Sequence, residues 1–525
     1  MIATRAKTVR QHHDVRAGTY FFFFFAFAAI VYAGHVPYLS LPYFWDELGQ
    51  FVPAALDILR DNAWIPRSTT PNIHPPGVMA YLAGIWRVFG YSIAATRAAM
   101  LLLASFGVLF TFLLSVRLCE RLDGFPALVA CLLLVCDPLF YTQAMMAQLD
   151  MPAMVFCLLA LVLFFEERHF AAAMACTAAV LAKETSVLLP LIFVWVLFRE
   201  GALKRYARYY AIPFASLLVW LVALWGATGT PFGNPGFEHY NVSYAMNPVR
   251  AGISLLRRMY YLFVDNFRWV GTVAIFLAWR RFGAYASRAW RITAAFAAGH
   301  IVLVSVLGGA ELERYLLPVL PLYYIAVAAA LSTSTRFVRN IGLVAMCGGL
   351  ITGLFVNPVF TFPYENNLAM ADFVQLHQAA AQYLQTHEKD KTIYTAWPLT
   401  AALRRPEFGY VHAPLKTKET GDLRFSSLSK LDPKAVDVLV LYSRTWEPKY
   451  GVVRLPMVKE FLAKFYDYEP QMTAEQCRAI LGLERKERWA HHGQWIEVYA
   501  KPSTTQDQAS VSVSQNTPSG TGQSR

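Results

Sequence analysis

The sequence predicts an α-helical polytopic membrane protein with a C-terminal α/β domain outside the bilayer. Three observations point there. Of 525 residues, 56% are hydrophobic and only 16% charged, against about 25% charged in soluble domains. Apolar runs near the roughly 20 residues that cross a bilayer recur as far as Val356. Beyond Pro358 the pattern changes to short β-rich runs between amphipathic helical ones. The apolar content excludes a disordered chain, and the low charge excludes an ordinary cytosolic enzyme.

The runs fall at about 18–38, 95–116, 125–142, 151–165, 208–227, 259–279, 292–308, 315–332 and 340–357. The stretch 170–198 accommodates two short spans broken at Lys183-Glu184, giving about 11 transmembrane helices. An odd number sets the two ends on opposite sides. With residues 1–17 cytoplasmic, the inner segments carry 17 Lys/Arg in 59 residues, the enrichment expected of cytoplasmic loops. Up to Pro358 the chain has 27 Lys/Arg against 17 Asp/Glu, and after it 20 against 18. The net charge of +12 is therefore mostly topology, and no nucleic-acid partner is expected. The domains follow: a membrane domain at 18–358 with a large first external loop at 36–96, an external α/β domain at 359–500, and a polar, disordered tail at 501–525. In the external domain strands are expected at 392–397, 436–443 and 495–500, and helices at 370–385, 456–465 and 473–488. The seven cysteines show no CxxC or Cys/His zinc spacing and read as small buried hydrophobes.

The chemistry-bearing residues cluster on the predicted outer side. Asp46-Glu47 follows the first span, where two carboxylates suit a general base with a supporting group, or else cap the helix that begins at Leu48. His74, before Pro75-Pro76, closes the same loop as an exposed side chain, a phosphate donor or a metal ligand. Asp150, in Leu149-Asp150-Met151-Pro152, is a helix cap or a carboxylate facing a cavity. Lys183 and Arg314 each have a local acidic neighbour to pair with, Glu184 and Glu311/Glu313. Together with Arg97 they otherwise form a set of outward cations at membrane level, which favours a phosphate-bearing substrate. Asp265 and Arg268, three apart, are expected to pair with each other, unless the external loop extends to Arg268. No Walker A, GxGxxG, HExxH or GxSxG pattern is present.

The DE pair after the first span, the HPP element, Arg97 opening the next span and LDMP opening a later one resemble the protein O-mannosyltransferase family. The outer Lys183 and the run Arg-Tyr-Leu-Leu-Pro-Val-Leu-Pro at 314–321 resemble its bacterial relatives, including the aminoarabinose transferases of lipid A. The similarity covers residues 18–335. It implies the GT-C fold, placement in a bacterial inner membrane with the C-terminal domain periplasmic, and a polyprenyl-phosphate-linked sugar as donor. Transfer to a hydroxyl of a lipid, glycan or protein acceptor would invert the anomeric carbon. By the same resemblance Asp46 is the base, with Glu47 and Asp150 in the catalytic group, and His74, Arg97, Lys183 and Arg314 face the donor phosphate. A divalent metal ion is the one cofactor it allows, held by Glu47 and His74. Two other classes remain in view, a lipid or sugar transporter without chemistry and an envelope polysaccharide polymerase or ligase. A transporter would set its ionisable groups at mid-bilayer on broken helices in repeated halves, whereas these lie in outer loops and no repeat is evident.

Overall fold

A computed structural model describes residues 17–119, 126–282, 285–447 and 455–502. The expected cytoplasmic segment, up to residue 16, and the expected disordered tail, from residue 503, lie outside the described residues. The chain divides into two compact units, Met1–Val374 with Thr445–Val452, and Gln375–Arg444 with Val453–Arg525.

In the first unit five helices are long and apolar enough to cross a bilayer: Gly18–Tyr38, Ile93–Leu118, Leu203–Thr228, Arg288–Val306 and Arg336–Phe355. Phe22, Val219 and Val344 on three of them are 68%, 69% and 73% exposed, as lipid-facing side chains must be. Two further pairs qualify only jointly, Pro126–Cys136 with Pro138–Met145, bent by 70°, and Pro248–Phe263 with Arg268–Arg280, bent by 86°. By length and composition the described residues thus hold five to seven candidate spans rather than the 11 expected. Several expected spans are shorter helices, Asp150–Phe165, His169–Ala182 and Leu320–Ser332, of 16, 14 and 13 residues. At 1.5 Å per residue these reach about 20–24 Å, short of the roughly 30 Å hydrocarbon core. Their apolar faces are buried within the unit instead of being spread across lipid.

Both bends have polar causes. Asp137 breaks the first pair: its Oδ1 accepts from the Leu139 and Phe140 amides at 2.9 and 3.0 Å, capping the helix that Pro138 opens. Its Oδ2 accepts from Arg268 at 2.5 Å and from the Tyr324 hydroxyl. The second bend turns at Asn266 and Phe267, whose φ values of 52° and 63° reverse the chain between Asp265 and Arg268. That reversal overturns the expected Asp265–Arg268 pair. Arg268 leaves for Asp137 on another helix, and the Tyr261 carbonyl takes its Nη1 at 2.9 Å.

The break at Lys183-Glu184 is present. Lys183 is extended (φ −155°, ψ 127°) and ends His169–Ala182 before a short turn leads into Leu188–Arg199. Gly77 opens the helix Gly77–Phe89 directly against this break. A Cβ there would collide with the Leu181 carbonyl, so only glycine lets the HPP loop approach so closely.

The second unit is α/β. Its sheet runs β2-β1-β3-β5-β4, with β1 Ile393–Thr395, β2 Thr417–Glu419, β3 Val438–Tyr442, β4 Glu484–His491 and β5 Gln494–Ala500. β1 pairs in parallel with β2 and β3, and β5 runs antiparallel to both β3 and β4. The wholly buried Val-Leu-Val-Leu-Tyr run is central, as a two-face-buried strand should be. The helix expected over 473–488 stops at Leu481, because Gly482 turns the chain at φ 66°. The charged residues that follow form the outer strand β4 instead.

Candidate active site

The residues singled out in the sequence separate into two groups, both in the first unit. Asp46, Asp150, Lys183 and Arg314 come together. Arg314, from the turn Glu313–Leu316, donates to Asp46, to the Gln148 side-chain oxygen and, at 3.0 Å, to Glu365. Its Nε lies 3.4 Å from Asp150. Lys183 donates to the other Asp150 oxygen at 2.5 Å and sits 3.9 Å above the Tyr315 ring. The local alternatives are therefore not made: Arg314 leaves Glu311 and Glu313 for distant partners, and Asp150 faces the cluster without capping its helix. Nor does Asp46 cap the helical turn after it. Asp46 has 14% of its side chain exposed, against 4% for Asp150 and Arg314, so it is the carboxylate most open to an incoming molecule.

Glu47 and Arg97 form the second group, with no side-chain exposure at all. The Glu47 carboxylate accepts from Arg97 at 2.5 and 3.1 Å and from the Phe44 and Ala147 amides at 2.8 and 2.6 Å. Arg97 spends its other donors on the carbonyls of Pro42 and Met145, both at 2.9 Å, and of Leu41. Every strong site on both groups is filled by the chain itself. Arg97 thus has no donor turned toward a phosphate, and Glu47 has no oxygen for a metal. What the clamp does is fix the turn at Trp45, which holds φ 44°, and so aim Asp46 at Arg314.

His74 stands beside the cluster rather than in it. Its Nδ1 and the Glu184 carboxylate are 2.9 Å apart. Burial alone would push the Glu184 carboxyl up, yet His74 and then Lys183 hold it down at about 2. His74 and Glu47 belong to no common group of metal-ligating side chains among the described residues. The dipeptide Lys183-Glu184 thus reaches two ways, Lys183 to the LDMP aspartate and Glu184 to the HPP histidine. His74 also lines a pocket with Phe51, Trp64, Asn72 and Trp220.

Sequence reasoning missed Glu365, Gln148, Tyr315 and Arg258. Glu365 follows Pro358, where composition had already changed, and its signal was the polar run Glu365-Asn366-Asn367 in a segment too short for a strand. The segment returns to the first unit because Trp446 donates to the Pro358 and Phe362 carbonyls at 2.8 and 2.9 Å. Arg258 is 1% exposed, gives its Nη1 to Ser254, and lies 5.9 Å from the Tyr315 ring. Its Nε and Nη2 have no hydrogen-bond partner among the described residues.

Residues 22–199 match the model of the alpha-(1->6)-mannopyranosyltransferase family, N-terminal domain. The structure resembles that of ArnT from Cupriavidus metallidurans bound to undecaprenyl phosphate, with a TM-score of 0.51, 13% identity, and coverage of 92% of this chain and 98% of that one. The chain shares its fold, the GT-C fold, with that structure, and its residues 22–199 are similar to a mannopyranosyltransferase domain. The oligosaccharyltransferase of Archaeoglobus fulgidus tethered to an acceptor peptide aligns at a TM-score of 0.49 and 10% identity, over 81% of this chain and 69% of that one. No curated protein sequence matches. The family match and the GT-C fold together support a glycosyltransferase, and the apolar helices make it an integral membrane protein. The matched stretch 22–199 contains both the Glu47–Arg97 clamp and three of the clustered residues, Asp46, Asp150 and Lys183.

Proposed function

We propose that this GT-C protein transfers a sugar from a polyprenyl-phosphate donor to a hydroxyl of a lipid, glycan or protein acceptor, with inversion, at the external face of a bacterial inner membrane. One observation carries the proposal: Asp46, Asp150, Lys183 and Arg314 meet from four separate stretches of chain. Undecaprenyl phosphate, bound in the structure of ArnT from Cupriavidus metallidurans, is the pattern for the lipid carrier.

In the reaction the acceptor O–H gives its proton to Asp46, and its oxygen attacks the anomeric carbon opposite the phosphate. The bond from that carbon to the phosphate oxygen breaks, and its electron pair leaves with the lipid phosphate. Positive charge must meet that leaving group in a site of low dielectric. Lys183 supplies an ammonium, and Arg258 supplies the N–H groups of Nε and Nη2, which have no partner among the described residues. Arg314 orients Asp46. Glu47 and His74 do not combine as metal ligands, so no step is assigned to a divalent ion.

The test is release of free lipid phosphate from membranes given undecaprenyl-phosphate mannose labelled in the sugar, with the label followed into acceptors. Wild-type membranes should release it. Asp46→Asn at the same protein level should not, and undiminished release by that variant would sink the assignment of the base.

A further inference from the structure

Glu365 is buried in the same cluster on a segment that cannot swing away. Its backbone carbonyl accepts from the Thr142 hydroxyl at 2.8 Å and the Gln143 amide at 3.3 Å. On one side Tyr364, at φ 68°, donates to the Thr445 carbonyl at 2.7 Å. On the other, Asn366 donates to Glu313 at 3.0 Å. The carboxyl therefore presents a fixed oxygen to Arg314, while its second oxygen is buried with no hydrogen-bond partner among the described residues.

The charges around it do not balance. Three carboxylates, Asp46 from the first loop, Asp150 from the helix Asp150–Phe165 and Glu365, contact Arg314, and Lys183 is the second cation in contact with them; Arg258, 5.9 Å from the Tyr315 ring, makes no ion pair with any of the three among the described residues. Glu313 also faces the group but is met by Arg257 at 2.5 Å, and the helix Pro138–Met145 contributes only the uncharged Thr142 and Gln143. Close carboxylates in a dry site cannot all ionise when cations are too few. Asp150 has Lys183 and Asp46 has solvent, whereas Glu365 has one shared guanidinium and a bare oxygen.

We propose that Glu365 is a positioning residue that carries a proton at neutral pH and, on losing it, draws the Arg314 guanidinium off Asp46, releasing that carboxylate to act as the base. This rests on the transferase function proposed above for the same site. Burial pushes the Glu365 carboxyl up to about 8; Arg314 opposes the shift, and Asp46 and Asp150 add to it. The proton leaves to solvent, and Arg314 then neutralises the new charge.

Two measurements on the full chain in lipid nanodiscs test this. Infrared titration should show the carbonyl stretch of a protonated carboxylic acid in the wild type, disappearing with a midpoint near 8, and Glu365→Gln should lack it. No such band, or a band kept in E365Q, overturns the proton assignment. If E365Q does not accumulate, the wild-type titration decides alone. Transfer from undecaprenyl-phosphate mannose should rise about tenfold between pH 7 and 9 in the wild type, following the ionised fraction of a group at about 8. In E365Q the rise should shrink to less than about twofold, with Glu365→Asp restoring a pH-dependent limb. An unchanged profile in E365Q overturns the positioning role. Wild-type chain that transfers nothing at any pH defeats the transferase function, and the infrared band still decides where the proton sits.

Discussion

Two of the buried arginines that hold carboxylates in the first unit, Arg97 and Arg314, do opposite things. Arg97 and Glu47 use nearly every donor and acceptor on each other and on nearby backbone, with no exposure. Arg314 is shared among Asp46, Asp150, Glu365 and Gln148, and among the described residues its Nε makes no hydrogen bond. A closed pair of this kind fixes geometry, because any change leaves a buried charge bare. An oversubscribed arginine can exchange partners at little cost, which suits a site where charge must move. The lesson is that burial and residue type do not separate scaffold from chemistry, and the count of unfilled hydrogen-bond sites does.

The contrast can be broken experimentally. Asp46→Asn should lower transfer by about 10³-fold, within the range for loss of a general base, without lowering protein level in membranes. Arg97→Ala should do the reverse. Leaving Glu47 buried and unpaired costs roughly 3–5 kcal/mol of stability, read as a lower melting temperature in detergent and poor accumulation. Should Arg97→Ala melt normally but fail to transfer, the clamp belongs to the chemistry after all. Lys183→Met should lower transfer by about 10²-fold with a small change in melting, since Asp150 keeps Arg314.

The smallest effect sharpens the boundary between the groups. Glu184, lowered to about 2 when folded, stabilises the protein fully above the usual carboxylate range. That contribution is lost as pH falls from about 4.5 toward 2. His74→Phe should flatten the melting curve against pH over that window. A wild-type and a variant that lose stability in parallel would show that the His74–Glu184 contact is dispensable.

The sequence carried the fold class because apolar run length and the change at Pro358 are local signals. β1 and β3 lie within the stretches expected as strands, and β5 covers the third and starts one residue before it, since each is a mostly buried run. β2 was missed because Thr417–Glu419 is short and polar, and β4 because its charged residues look like an exposed helix face. The span count was less legible: a 13-residue apolar helix buried by its neighbours has the composition of a membrane span without its length. At the site, Asp46, Asp150, Lys183 and Arg314 stood out as charges with no topological reason to be where they are. Their pairings did not, because a local partner always lay one to three residues away and tertiary contacts overrode it. Glu365 was hidden by the composition boundary itself.

The ion pair between Asp137 and Arg268 joins the breaks of both bent helix pairs, although 131 residues of chain separate them. Neither charge can rest alone among apolar side chains, so neither kink is settled until its counterpart has been synthesised and inserted. The first bent pair would therefore wait without that ion pair through the translation of six further helices, from Asp150 to Phe263. Site-specific crosslinking of stalled nascent chains should find Asp137 exposed before residue 268 emerges and protected afterwards, and early protection would show that the two kinks mature separately.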